Sequence, residues 1–414
     1  MADTMDPIAE VKMYENSSEL LPLMIGGPGP DTLQDCKGMF MKATAAVLET
    51  NNDMTQTFRY ADGRGDREFL DQLAKFLSQE YNDTVTSSEL MLTAGATQGL
   101  HFLASLLFSK NTVAFVEDPS YYAAYRLLQY DLQMNVVPVQ TDADGIDTNV
   151  LDKLLSEHRP KSFAATPERP FWAMIYVIPV FNNPTGQCYS QERCGELVRL
   201  ARQHDVLVVA EDIYNLVYYG GNSPKRLLAY DDKSDPAYKG NVVSNCTFSK
   251  ILAPGLRLGW LEAPERVLGA LDNSNVSWSG GSLNHYASKI ATAIMKLGLQ
   301  QKHVQTLRQI YKDRMVLMCE TLQKGLPPGA TFTQPQGGFF VWVQLPEAVD
   351  ALLLLRMAVK KYKINFLPGF CASPSGGCKN YVRLSISFCN QVTLTRGLEA
   401  FCSAIRDFIA GETQ

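Results

Sequence analysis

The chain has 414 residues and a mass of 46.0 kDa, with 46% hydrophobic and 20% charged residues. This is globular composition, and at roughly 100–200 residues per domain the length admits two to four domains. The formal net charge of -5 and the lack of a long basic run disfavour nucleic-acid and anionic-membrane binders.

The first thirty residues are polar and then turn Gly/Pro-rich at Ile25-Gly-Gly-Pro-Gly-Pro30, which reads as an arm and a loop. From about residue 50, short apolar runs alternate with helical patterns. Gly99 to Lys110 places Leu100, Leu103, Ala104 and Leu107 on one helical face. Thr112–Val116 follows as a strand, and Met174–Ile178 is another. Ser190 to His204 is amphipathic, with Cys194, Leu197, Val198 and Ala201 together. Val206–Ala210 is continuously apolar, as a parallel strand covered on both faces is. Val242–Phe248 is a further strand. The last third reads as a long helical stretch over 284–324, a strand over Gly337–Val343 and a helix over Leu352–Tyr362. An alternating strand over Tyr381–Ser387 and a helix ending near Ile409 close the chain. Strand–helix alternation predicts an α/β fold with a mostly parallel sheet, followed by a smaller α+β domain.

The nine cysteines include no CxxC pair, and the five histidines form no HExxH, so no metal site is expected. The first twenty residues are acidic and lack an apolar signal core. The longest apolar stretch, Pro170 to Phe181, is too short to span a bilayer. These features point to a reducing compartment, the cytoplasm.

In open α/β sheets, ligands gather where strands end, so the polar residues after each apolar run are the candidates. Thr247-Phe-Ser-Lys250, followed by Arg257, brings together two hydroxyls, an amine and a guanidinium. Hydroxyls and a guanidinium suit a phosphate, and a lysine beside them suits an aldehyde cofactor. Thr93-Ala-Gly-Ala-Thr-Gln-Gly99 is a small-residue turn into a helix, and such a start can bind an anion through its N–H groups. Asn182-Asn-Pro-Thr-Gly186 follows a strand with turn chemistry and an amide donor. Glu211-Asp-Ile-Tyr214 ends the Val206–Ala210 strand with carboxylates. Taken singly, each segment is also compatible with an ordinary polar loop.

In order and spacing, the set resembles the class I/II aminotransferases, pyridoxal-phosphate-dependent enzymes of fold type I. The resemblance covers nearly the whole chain. It includes Phe58-Arg-Tyr60, Glu117-Asp-Pro-Ser-Tyr121, Asn183-Pro-Thr-Gly186, Ser249-Lys250, Arg257 and Tyr381-Val-Arg383. Arg169–Pro179 and Ser279–His285 are most similar to the branch with 2-aminoadipate and kynurenine or aromatic aminotransferases.

The resemblance implies a large cofactor domain over 51–290, with an N-terminal arm (1–50) and a C-terminal part (291–414) belonging to a small domain. It implies that Lys250 is the Schiff-base lysine and the proton carrier. Arg257, Ser249, Thr247 and the backbone of Ala96 and Thr97 would hold the cofactor phosphate. Tyr121 would stack on the ring, and Asn183 and Tyr214 would donate to its phenolate oxygen. Tyr60 would reach the partner's phosphate in a homodimer with shared active sites. The ring-nitrogen position falls on Glu211 by spacing and on Asp212 by residue type. Only one of the two can face the ring, and the register that serves Tyr214 favours Glu211. Arg383 would clamp the substrate carboxylate, with Asn183 and Gly27 nearby.

The implied activity is transfer of an amino group from an L-amino acid to a 2-oxo acid such as 2-oxoglutarate or pyruvate. A lyase, synthase or oxidase on the same scaffold shares these motifs. A non-catalytic sensor fused to a DNA-binding domain is disfavoured, since the aminotransferase-like region begins almost at once.

Overall fold

The computed structural model describes residues 6–15, 17–50, 55–281 and 283–411. Ser282 of the Ser279–His285 motif and the 50/51 domain cut therefore touch residues outside the described ones.

In chain order the strands are β1 (Leu21–Pro22), β2 (Leu90–Thr93), β3 (Val113–Asp118), β4 (Asn135–Asp142), β5 (Gly145–Ile146), β6 (Ala173–Val177) and β7 (Leu207–Glu211). They continue with β8 (Val242–Thr247), β9 (Gly259–Glu262), β10 (Thr331–Phe332), β11 (Phe340–Gln344), β12 (Ile364–Asn365), β13 (Leu367–Pro368) and β14 (Tyr381–Ser385). Eight of them form one sheet in the order β2-β9-β8-β7-β6-β3-β4-β5. The run from β8 to β4 is parallel, whereas β9 is antiparallel to both β2 and β8. A second, four-stranded sheet has the order β10-β11-β14-β13 and is antiparallel. The eight-stranded sheet lies within 90–262 and the four-stranded sheet within 331–385.

Helices cover both faces of the large sheet. One face packs Leu100, Leu103, Ala104 and Leu107 of helix Ala96–Leu107 against Met174 and Val209. The other packs Cys194, Leu197, Val198 and Ala201 of helix Gln191–His204 against Ile175 and Val208. Burial on both faces explains why β6 and β7 are apolar throughout. Helix Gln191–His204 starts where Ser190 accepts a hydrogen bond from the Arg193 N–H and stops at the left-handed Asp205.

Two expectations need correction. The N-terminal arm is not all loop, because Pro7–Glu15 is a helix. Val11 is its only buried residue, so no amphipathic stripe announced it. The helical stretch over 284–324 is two helices, His285–Lys296 and Leu299–Gly325. Gly298 separates them in a left-handed conformation at φ 66°.

Candidate active site

The large sheet delivers its polar residues to one edge. Ala96 and Thr97 follow β2, Tyr121 follows β3, Asn183 follows β6, Glu211 ends β7, and Ser249 and Lys250 follow β8. They line a cavity of about 310 Å³ together with Thr247, Tyr214, Arg257, Gly27 and Arg383. Strand ends of a parallel sheet point the same way, so loops far apart in sequence converge. Arg383 comes instead from β14 of the small sheet.

Lys250 donates a hydrogen bond to the Gly26 carbonyl at 2.8 Å. Its amine is pushed down to about 8, by burial first and then by the Arg383 and Arg257 cations. It is therefore partly neutral near physiological pH, as a nucleophilic or basic amine must be.

Residues that could cradle an anion line the same cavity. The 12-residue helix Ala96–Leu107 starts there, and its first N–H groups have no acceptor within the helix. Arg257 projects beside it from a left-handed backbone at φ 49°. A Cβ on Gly95, at φ 88°, would lie 2.8 Å from the Arg257 guanidinium, so the cradle keeps its shape only with glycine there. Thr247 donates to the Ser249 hydroxyl at 2.9 Å, which groups two hydroxyls at the same end.

Glu211 faces the cavity, while Asp212 does not line it. Asn245 donates to Glu211 at 2.9 Å and to the Ala96 carbonyl at 2.9 Å, tying β7 to the cradle helix. Burial lifts the Glu211 carboxyl to about 7. Asp212 turns away to the Ser244 hydroxyl, and burial lifts it to about 6.

Arg383 is buried, with its guanidinium 4.1 Å from the centre of the Phe340 ring. It donates to the Met24 carbonyl at 2.6 Å and to Asn183 Oδ1 at 2.8 Å, while its Nε has no hydrogen-bond partner among the described residues. A buried, orphaned N–H on an arginine calls for an anionic acceptor.

Besides Asp212, Tyr60 is the expected residue placed elsewhere. It is 82% exposed and does not line the cavity of its own chain.

Two carboxylates escaped assignment from sequence. Glu117, at the end of β3, is fully buried and accepts from the Ile178 N–H at 2.7 Å, Asn182 Nδ2 at 2.9 Å and the Tyr189 hydroxyl. It pins the loop that carries Asn183. The strand-end motif Glu117–Tyr121 was its only signal. Glu15, the last residue of helix Pro7–Glu15, lines the cavity with no motif to mark it.

An amine of lowered basicity, an anion cradle and a carboxylate-seeking arginine in one cavity define a group-transfer enzyme for carboxylate-bearing substrates. The chain belongs to the aminotransferase class I and II family, whose model matches residues 32–401. It is 28% identical over 400 residues to aromatic-amino-acid aminotransferase 1 of Thermococcus litoralis, covering 97% of this chain and 91% of the relative. Its fold is similar to that of the kynurenine aminotransferase of Pyrococcus horikoshii, with TM-score 0.84 and 26% identity over 99% of this chain and 96% of the other. A multiple substrate aminotransferase from Thermococcus profundus matches with TM-score 0.84 and 26% identity over 99% of this chain and 97% of the other.

Proposed function

We propose that the protein is a pyridoxal-phosphate-dependent aminotransferase. Its donor is an L-amino acid of the 2-aminoadipate, aromatic or kynurenine kind, or a broad set of these, and its acceptor is a 2-oxo acid such as 2-oxoglutarate or pyruvate. The observation that carries this reading is the convergence of Lys250 and Arg383 on one cavity with the cradle of Arg257 and Gly95.

The donor set fits the cofactor. Arg257, Ser249, Thr247 and the N–H groups of Ala96 and Thr97 would hold its phosphate. Tyr121 would lie against its ring. Asn183, whose Oδ1 is taken by Arg383, keeps its amide N–H for the phenolate oxygen, and Tyr214 is the second donor there. Glu211 would keep a proton on the ring nitrogen. When bound, pyridoxal phosphate supplies an aldehyde that captures amines and a ring that withdraws electrons from the substrate Cα.

Arg383 orients the substrate by its carboxylate, with Gly27 at the same wall. Lys250 Nζ, held at the same wall, would be the base that accepts and carries the proton leaving the substrate Cα. The Gly26 carbonyl, 2.8 Å from Nζ, restrains that amine and covers the cavity. 

The functional unit in this reading is a homodimer with shared active sites, in which Tyr60 completes the partner's phosphate site. Support comes from the exposed aromatic surface around it, where Phe58 stacks on Tyr286 with ring centres 6.0 Å apart. The cofactor unit is residues 51–290, and the arm 1–50 joins 291–414 in the small unit. The nine free cysteines favour the cytoplasm. No described helix is long and apolar enough to cross a membrane.

Single-turnover absorbance with a panel of amino acids tests the function. A reactive donor converts the cofactor to its amine form, and a 2-oxo acid restores the aldehyde form. Absence of conversion with every amino acid overturns the transaminase reading in favour of another reaction on the scaffold.

A further inference from the structure

Gly99 closes the helix-entry turn Thr93–Gly99 and lies in the first turn of helix Ala96–Leu107. A Cβ there would stand 2.4 Å from Asn245 Oδ1 and 3.3 Å from Leu261 Cδ2. Any side chain at 99 would therefore press on Asn245, a fully buried residue of β8.

Asn245 lies opposite Glu211 in the register of β7 and β8. Its Nδ2 donates to Glu211 Oε2 at 2.9 Å and to the Ala96 carbonyl at 2.9 Å, so both amide hydrogens are committed. Its Oδ1 is turned toward Gly99 and has no hydrogen-bond partner among the described residues. A flipped amide would set that oxygen against a carboxylate oxygen and a carbonyl oxygen, with no donor between them. The amide therefore has one orientation, in which it can only donate to Glu211. Donation to a carboxylate favours its charged form and so opposes the effect of burial. With Oε2 engaged, Oε1 is the oxygen left for the cavity that Glu211 lines.

We propose that Asn245 is the positioning residue of Glu211, and that Gly99 is the space that admits its amide. One side chain aims the carboxylate at the cofactor ring nitrogen, keeps it charged, and fixes it to the first turn of the phosphate-binding helix. This rests on the aminotransferase reading, in which Glu211 faces the ring nitrogen. Without the amide, the proton between the ring nitrogen and Glu211 Oε1 moves to the oxygen. The N–H bond breaks, an O–H bond forms, and the neutral ring withdraws electrons less well.

The test uses the holoenzyme reconstituted with pyridoxal phosphate isotopically labelled at the ring nitrogen and read by solid-state NMR. The wild type should show a protonated ring nitrogen. Asn245→Leu, of similar volume but without donors, should displace the resonance toward the neutral position. Its half-reaction at saturating amino acid should slow about ten- to a hundredfold, while KM stays within about twofold. Gly99→Ala keeps the asparagine and pushes on its amide, so it should move both readouts the same way by less. It carries the test if Asn245→Leu does not fold. In a Glu211→Gln background, Asn245→Leu should cost no more than about twofold further, since its target is already gone. An unmoved resonance and rate in both variants, or a full further loss in the Glu211→Gln background, would overturn the proposal. The resonance needs bound cofactor but no turnover. Donors that react while the resonance stays fixed sink the role of Asn245 alone, whereas a displaced resonance without any reactive donor sinks the aminotransferase reading alone.

Discussion

Arg383 donates to Asn183 Oδ1 at 2.8 Å across 200 positions of sequence, and the bond joins the small sheet to a loop of the large one. In the proposed reading it would orient both groups, the arginine fork for a substrate carboxylate and the asparagine amide for the cofactor oxygen. A hydrogen bond involving a charged group is worth about 1.5–3 kcal/mol, or roughly ten- to a hundredfold in a rate or binding constant. Asn183→Ala should therefore lower kcat/KM about ten- to a hundredfold, with KM raised for both the amino acid and the oxo acid. Arg383→Lys should lose at least as much, since a point charge cannot replace the fork. Steady-state kinetics with both substrates checks this, and an unchanged KM in either variant contradicts the paired role.

Glu211 and Asp212 are adjacent and both buried, yet only Glu211 lines the cavity. Glu211→Gln should reduce turnover by about a hundredfold or more, because the ring loses the carboxylate that keeps its nitrogen protonated. Asp212→Asn, which alters a contact with Ser244, should leave turnover within about tenfold. Rates of the half-reaction in the two variants decide the matter. The opposite ranking assigns the ring partner to Asp212.

Burial and the Arg383 cation push the Lys250 amine down from 10.5 to about 8, so its neutral fraction in the cofactor-free protein should grow as pH rises through that value. The signs of the neighbouring charges predict two opposite shifts. Removing the Glu211 anion withdraws support for the ammonium form, so the midpoint of Glu211→Gln should move lower. Removing the Arg383 cation relieves repulsion, so the midpoint of Arg383→Leu should move higher. The pH dependence of Lys250 labelling by an amine reagent, followed by mass spectrometry, reads both midpoints. Midpoints unmoved in both variants would show that burial alone sets the value.

Glu117 links chemistry to stability. Burial lifts its carboxyl from 4.5 to about 7. Between those values the folded chain binds more protons than the unfolded chain, so this group's contribution is present below 4.5 and is lost as pH rises through about 7. The stability of the wild type relative to Glu117→Gln should therefore fall by on the order of 2 kcal/mol from about pH 5 to about pH 8. Paired melting curves at the two pH values measure the difference. The same variant swaps an acceptor for an amide and loosens the Asn182 loop, so its KM should rise.

Much of the architecture was legible because β6 and β7 are buried on both faces, which leaves an uninterrupted apolar run, and because polar residues follow immediately. Helix Gln191–His204 was equally plain, since its buried residues recur at helical spacing behind a serine cap. Helix Pro7–Glu15 was not, because it buries Val11 alone and its place depends on partners far along the chain. The choice between Glu211 and Asp212 needed the register of β7 against β8, where Glu211 lies opposite Asn245. Glu15 could not be found by pattern at all, since the cavity it lines is assembled from residues as distant in sequence as Arg383.

The segment from Leu21 to Gly26 has its partners late in the sequence. Leu21 pairs with Ile364, the Ser385 N–H donates to the Leu23 carbonyl, Arg383 donates to Met24, and Lys250 donates to Gly26. On the ribosome this segment is made first and waits for residues 364–385 before it can dock. The large sheet, whose strands end at Glu262, can assemble beforehand. The wall over Lys250 is thus a late event in biosynthesis, so a nascent chain can hold a formed sheet and a cofactor cradle and still be unable to grip a substrate.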